Sequence, residues 1–147
     1  MIIRQAAPAD VSALIELYAQ FPSEPLQQPN QDIAHWQQKL ARLECDDNYH
    51  VLVCEIEGVI VSTVMLIMIE NFTHNLTPLA VIENVVTLPE HRKRGYASAL
   101  LQHAIKLAKD SGCYKIMLMT GSKQQSTLDF YRKNGFTDDK TAFQIRF

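Results

Sequence analysis

The stretch Arg92-Lys93-Arg94-Gly95-Tyr96-Ala97 decides how this chain is read. Upstream stands Val85-Val86, an apolar run with strand character, and downstream Ser98-Ala99-Leu100-Leu101 opens a helical one. The order is strand, short basic connection, then a helix whose N-terminus carries little bulk. The first turn of a helix leaves backbone N–H groups without intrahelical partners, and the helix dipole adds partial positive charge there. Such a turn can hold a phosphate or pyrophosphate through main chain alone. Gly95 and Ala97 keep side chains out of the way of that approach.

In Arg92-x-x-Gly95-x-Ala97 the chain resembles the GNAT superfamily of acyl-CoA-dependent N-acyltransferases, whose signature is Gln/Arg-x-x-Gly-x-Gly/Ala. Glu83-Asn84-Val85-Val86-Thr87-Leu88-Pro89 looks like the strand and Pro-ended turn that precede the family's pyrophosphate loop. Asp129-Phe130-Tyr131-Arg132-Lys133-Asn134-Gly135-Phe136 looks like its second landmark, a helix ending in aromatic-Tyr, then polar residues and Gly-Phe. The resemblance is strongest over residues 82–136. Within the family, Glu83-Asn84, Cys113-Tyr114-Lys115 and the Phe130-Tyr131 helix end are similar to glucosamine-phosphate N-acetyltransferases.

Composition agrees with this class. A chain of 147 residues, 47% hydrophobic and 20% charged, has the length and apolar content of one globular domain, expected to span residues 1–147. Net charge is −2, so the basic residues from His91 to Arg94 form a local cluster on a mildly acidic protein. That suits a phosphorylated cofactor, whereas nucleic acid is not an expected partner. No Gly-x-Gly-x-x-Gly follows a strand, and Gly121-Ser122-Lys123 lacks the order of a P-loop.

Cys45, Cys54 and Cys113 form no Cys-x-x-Cys pair, which argues against a disulfide framework or structural zinc and for reduced thiols. His35, His50, His74, His91 and His103 fall in no metal-ligand spacing, so no metal is expected. Met1 to Gln5 lacks the regions of a secretory signal, and the run Val59 to Ile69 is too short to span a bilayer. The expected location is cytoplasmic, away from any membrane. The sequons at Asn71 and Asn75 are then chance.

Apolar periodicity predicts a strand at Met1 to Gln5 and a helix to about Gln20 with Val11, Leu14, Ile15 and Tyr18 on one face. Prolines break the stretch from Phe21 to Pro29, and Ile33, Trp36, Leu40 and Leu43 restore a helical stripe. Tyr49 to Ile56 and Val59 to Glu70 read as a hairpin about Glu57-Gly58, followed by a strand at Leu79 to Thr87. A helix closed by Ser111-Gly112, a strand at Tyr114 to Thr120, a helix at Gln124 to Asn134 and a strand at Thr141 to Phe147 complete the order β-α-α-β-β-β-α-β-α-β. This is an α/β chain, α+β in some schemes. The resemblance implies a mixed, mostly antiparallel GNAT-like sheet with a splayed parallel strand pair and about four helices.

The resemblance also implies chemistry: direct attack of a neutral primary amine on the thioester of acetyl-CoA. The pantetheine arm is expected to pair with the backbone of Val85, Val86 and Thr87. The pyrophosphate grip is expected at Arg92, Lys93, Arg94, Gly95, Tyr96, Ala97 and Ser98, with Gln124 where many relatives have an asparagine on the pantetheine arm. Tyr131 is the candidate acid for the leaving thiolate. Glu83, a carboxylate within an apolar strand beside the proposed cofactor edge, is the candidate base. Asn84 stands where an acid is found in the glucosamine-phosphate enzymes, and Met119 where several relatives place a glutamate. The acceptor pocket is implied at Phe21 to Gln31 and Asp138 to Phe147. The expected acceptor is a small-molecule amine, with a protein N-terminus or lysine and a non-catalytic CoA sensor as alternatives, and a homodimer is possible.

Overall fold

A computed structural model describes residues 1–21 and 32–146. The first strand, β1 (Ile2–Gln5), leads through a 3-10 turn (Pro8–Asp10) into α1 (Val11–Tyr18), and α2 spans Ile33–Glu44. Then come β2 (Tyr49–Ile56), β3 (Val59–Ile69) and β4 (Leu79–Thr87), a second 3-10 turn (Pro89–His91), α3 (Tyr96–Asp110), β5 (Ile116–Leu118) and α4 (Gln125–Lys133). The sheet order is β1-β2-β3-β4-β5, antiparallel except for the parallel pair β4-β5. The β2-β3 hairpin turns at Glu57 and Gly58, with φ of 51° and 81°, the left-handed pair that a two-residue turn needs.

Both faces of the sheet are covered, which is why its central strands read as nearly continuous apolar runs. Leu52, Cys54, Val64, Leu66 and Ile82 pack with Leu100, Leu101, Ala104 and Ala108 of α3, and Phe130 and Tyr131 of α4 join that side. On the opposite face Val51, Val53 and Val86 pack with Val11, Leu14 and Leu17 of α1 and Leu40 of α2. Among the described residues no helix is long and apolar enough to cross a membrane.

Two expected strands differ from the structure. Residues 141–146 carry no regular structure, and Phe143 and Ile145 are 92% and 82% exposed. Thr141, Phe143 and Ile145 do alternate, but alternation yields a strand only where a neighbour supplies the ladder, and no strand pairs with this segment among the described residues. Phe147 lies outside the described residues. The strand expected at Tyr114 to Thr120 shrinks to three residues, because its parallel pairing with β4 begins at Ala80↔Ile116 and ends at Ile82↔Leu118.

The chain's entry into α1 is fixed by one ion cluster. Arg4 Nη1 and Nη2 donate to Asp10 at 2.6 and 3.0 Å, and its Nε and Nη2 donate to Glu55 Oε2 at 3.0 and 2.9 Å. Asp10 Oδ2 also accepts the Ala7 N–H at 2.7 Å. Hydrogen bonds from Arg4 hold the Asp10 carboxyl below its usual range against the opposing effect of burial. A lowered carboxyl adds stability above its unfolded pKa near 3.8 and loses it as pH falls through the lower folded value. Asp10→Asn should therefore cost about 1–3 kcal/mol at pH 7. Urea titrations should show that difference shrinking below the ordinary carboxyl range, where wild type is protonated too.

Candidate functional site

The site begins where β4 stops pairing with β5. β4 runs to Thr87, yet only Ala80, Val81 and Ile82 pair with β5, so Glu83 to Thr87 border a gap on that side. On its other side β4 carries a bulge: Thr63 pairs with Val86 and Met65 with Glu83, so Val64 alone faces Asn84 and Val85. Asn84 takes φ of 56°, a left-handed conformation that asparagine tolerates better than most residues. Its exposed amide lies 3.9 Å from Met65 Sδ.

Glu83, the first residue past the pairing, is half-buried. It sits opposite Met65, which packs on the α1/α2 side of the sheet. Tyr131 comes from α4 and is half-buried against Phe130 and Phe136, with ring centroids 5.1 and 6.3 Å away in edge arrangements. Burial pushes its phenol above the ordinary tyrosine range, and the charge of Glu83 pushes it further. The charge of Glu83 thus reaches Tyr131, although the two lie 48 positions apart in sequence. Met119 lies just past the end of β5 and is 56% exposed.

At the same end of the sheet the loop after the second 3-10 turn enters α3. Lys93 has φ of 60° and Gly95, the residue before α3, has φ of 86°. The first recorded α-helical bond runs from the Ala99 N–H to the Gly95 carbonyl at 2.9 Å, so the N–H groups of Tyr96, Ala97 and Ser98 precede it. A Cβ built on Gly95 would meet nothing within 4 Å, so the approach to those donors is open. These features fit an anionic pyrophosphate. Among the described residues, no three His, Cys, Asp or Glu side chains gather into a set that could hold a metal.

The expected cofactor residues divide by what they touch. Lys93 and Arg94 are exposed at the loop, and Tyr96 packs its ring against the α3-side core. Arg92 instead turns back: its Nε donates to the Thr87 carbonyl at 3.1 Å and its Nη2 to Gln20 Oε1 at 2.7 Å. It braces the loop against the end of α1. Val86 is buried, its carbonyl accepting from Ser62 Oγ at 2.8 Å. Among the described residues, side-chain donors reach the carbonyls of Val86 and Thr87, and none reaches that of Val85. Gln124 is the exposed residue preceding α4, and its side chain makes no cap hydrogen bond.

Asn134 falls within the second landmark, where motif reading gives it no role of its own. It is only 8% exposed and ends α4, where its Nδ2 donates to the Phe130 carbonyl at 2.8 Å and to Ser98 Oγ at 3.2 Å. Gln102 Nε2 donates to its main-chain carbonyl at 3.3 Å. Asn134 thereby ties the helix carrying Tyr131 to the first turn of α3. The only sequence signal was its place before Gly135, which reads as an ordinary helix end. Of the segments implied for the acceptor pocket, residues 22–31 lie outside the described residues, and residues 138–146 are exposed.

Known proteins agree with this architecture. A putative acetyltransferase from Agrobacterium tumefaciens superposes with a TM-score of 0.87 at 37% identity, over 99% of both chains. A glucosamine-6-phosphate N-acetyltransferase structure from Arabidopsis thaliana superposes at 0.86 over 99% of this chain and 97% of that one, at 21% identity, a likeness of fold. A sequence relative, the glucosamine 6-phosphate N-acetyltransferase of Trypanosoma brucei brucei, is 34% identical over 79 residues, covering 54% of this chain and 52% of that protein. The matches span about half or less of the length of the curated relatives. Residues 11–136 match the family model for the acetyltransferase (GNAT) family, and the chain belongs to that family.

Proposed function

We propose that residues 1–147 form one N-acetyltransferase domain that moves the acetyl group of acetyl-CoA to a primary amine of a small molecule. The observation that carries this reading is the unpaired end of β4, where Glu83 stands and from which its charge adds to burial in raising the pKa of the half-buried Tyr131. A proton acceptor and a proton donor there suit a reaction that deprotonates an ammonium and protonates a thiolate. Family membership and a trypanosomal relative named for an amino-sugar acceptor support the amine.

Acetyl-CoA supplies the activated acetyl group as a thioester. The open N–H groups of Tyr96, Ala97 and Ser98 hold its pyrophosphate, with Lys93 and Arg94 adding positive charge from the exposed loop. The main chain of Val85 offers hydrogen bonds toward the gap. Glu83 takes a proton from the acceptor ammonium, directly or through water, so that the neutral amine attacks the carbonyl carbon. Tyr131 donates its phenolic proton, or a hydrogen bond, to the departing sulfur. Its phenol stays protonated through the neutral range because burial and the Glu83 charge both raise its pKa.

The loop is tested at Gly95. At φ of 86°, Gly95→Ala should cost about 1–2 kcal/mol of stability and also place a methyl beside the open donors. Calorimetry should show acetyl-CoA affinity reduced about tenfold or more in the folded variant. Wild-type affinity would remove the loop from the binding site.

Tyr131→Phe keeps the ring and deletes the hydroxyl. The variant should bind acetyl-CoA normally and lose about tenfold to a thousandfold in kcat. In wild type, a falling limb of kcat from loss of the Tyr131 proton should come only above the ordinary tyrosine value of 10, since the phenol is raised. Unchanged turnover of Tyr131→Phe where chemistry limits the rate would return the hydroxyl to a packing role.

Glu83→Gln keeps shape and removes the base. Its kcat should fall at neutral pH and recover in part at high pH, where free amine is abundant without help. A screen of amine acceptors followed by thiol release tests the whole reading. Acetyl-CoA binding without thiol release to any amine would favour a CoA sensor.

A further inference from the structure

The face of the sheet beneath α1 and α2 contains a cavity of about 370 Å³. Three aromatic residues line it, Tyr18, Phe21 and Trp36, among aliphatic side chains of both helices. They form a stacked series, with Tyr18 to Trp36 at 5.9 Å and 24°, and Tyr18 to Phe21 at 6.1 Å and 18°. Burial pushes the Tyr18 phenol above its ordinary range, and its ring stacks on Phe21 and Trp36, so it presents chiefly its apolar body. The cavity reaches the bulge of β4. Asn84 lines it, and so does Met65, the cross-strand partner of Glu83.

The polar content of the lining is small. Among the described residues Lys39 is its only cationic side chain, and the adjoining hollow that adds Arg42 also adds Asp46. A phosphate dianion seated here would give up hydration for one lysine, whereas an aromatic ring would exchange water for ring faces and aliphatic walls.

We propose that this cavity receives the body of the acceptor, and that the acceptor is a primary amine on an apolar, aromatic body rather than a phosphorylated amino sugar. The amine's role rests on the transferase reading above, whereas the preference of the cavity is measurable without turnover. With the ring against the aromatic series and the aliphatic walls of α1 and α2, the amine end lies toward Asn84 and the Glu83 position on β4. Selectivity follows from the apolar body, because each buried methylene or ring face adds affinity that a sugar phosphate does not gain.

Trp36 is the single tryptophan of the chain, so intrinsic fluorescence reports this cavity directly. The protein saturated with CoA, which cannot transfer an acetyl group, is titrated with 2-phenylethylamine, ethanolamine and glucosamine 6-phosphate. The expected result is a saturable change in emission with 2-phenylethylamine, half-complete at a concentration about tenfold or more below that of either other amine. No saturable change with 2-phenylethylamine, or equal or tighter binding of glucosamine 6-phosphate, overturns the proposal. Leu43→Phe, which adds bulk to the lining, should raise the half-saturation about fivefold or more while acetyl-CoA affinity stays intact. Unchanged amine binding in that variant places the ligand elsewhere and also overturns the proposal. Thiol release is read separately with acetyl-CoA. If Trp36 reports 2-phenylethylamine binding but no thiol is released, the cavity's preference stands and the transferase reading falls.

Discussion

A nine-residue strand beside a three-residue neighbour leaves the last five residues of β4, Glu83 to Thr87, without pairing to β5. The bulge within those five residues determines which way each side chain points. Ile82 and Val85 are an odd number of positions apart, yet both pack on the α3 side. Val86 and Leu88 then resume the opposite face, with α1 and α2. Strict alternation cannot produce that pattern, since a one-residue slip exchanges the faces of everything beyond it. The extra residue at Asn84 resets the parity, keeping Glu83 on the face of Met65 while Val85 and Val86 still reach their cores. An asparagine with φ of 56° meets the backbone requirement at low steric cost.

The two layers outside the sheet then divide the proposed work. On the α3 side, the open first turn of α3 and the helix bearing Tyr131 are joined through Asn134 and Ser98, which links the proposed anion-binding turn to the proposed leaving-group acid. On the α1/α2 side lies the aromatic cavity, bordered at the bulge by Asn84 and Met65. Arg92 links the two sides, holding the Thr87 carbonyl and the end of α1 together. Its guanidinium is used for loop geometry, while the charges of Lys93 and Arg94 remain at the exposed loop.

Local chemistry was legible in the sequence, and long-range pairing was not. Glu57-Gly58 announces its hairpin because two left-handed residues suffice to turn the chain, and the stripe Leu100, Leu101, Ala104 and Ala108 announces α3 because the 3.6-residue period is intrinsic to it. The bulge at Asn84 leaves no periodic trace, since one inserted residue looks like noise inside an apolar run. The short β5 and the unpaired segment 141–146 were misjudged for the same reason: a strand exists by virtue of its neighbour, and alternation describes only one partner. At the candidate site, Glu83 and Tyr131 were singled out as candidates from their motifs. Their coupling, the brace made by Arg92 and the bonds of Asn134 depend on residues far apart in the chain, as does the cavity, which draws on α1, α2 and three strands.

The coupling of Glu83 to Tyr131 also bears on the order of proton movements in the proposed reaction. While Glu83 is ionised its charge raises the Tyr131 pKa, so the phenol holds its proton before the amine is engaged. When Glu83 accepts a proton from the ammonium, that contribution disappears and the phenol becomes a stronger acid, at the stage when sulfur begins to leave. Burial keeps the phenol above its ordinary range throughout, so full ionisation is not required and a strengthened hydrogen bond to sulfur suffices. A base and an acid too far apart to sense one another would titrate independently. In the proposed reaction the first proton transfer, by removing the Glu83 charge, lowers the raised pKa of the phenol and so favours the second.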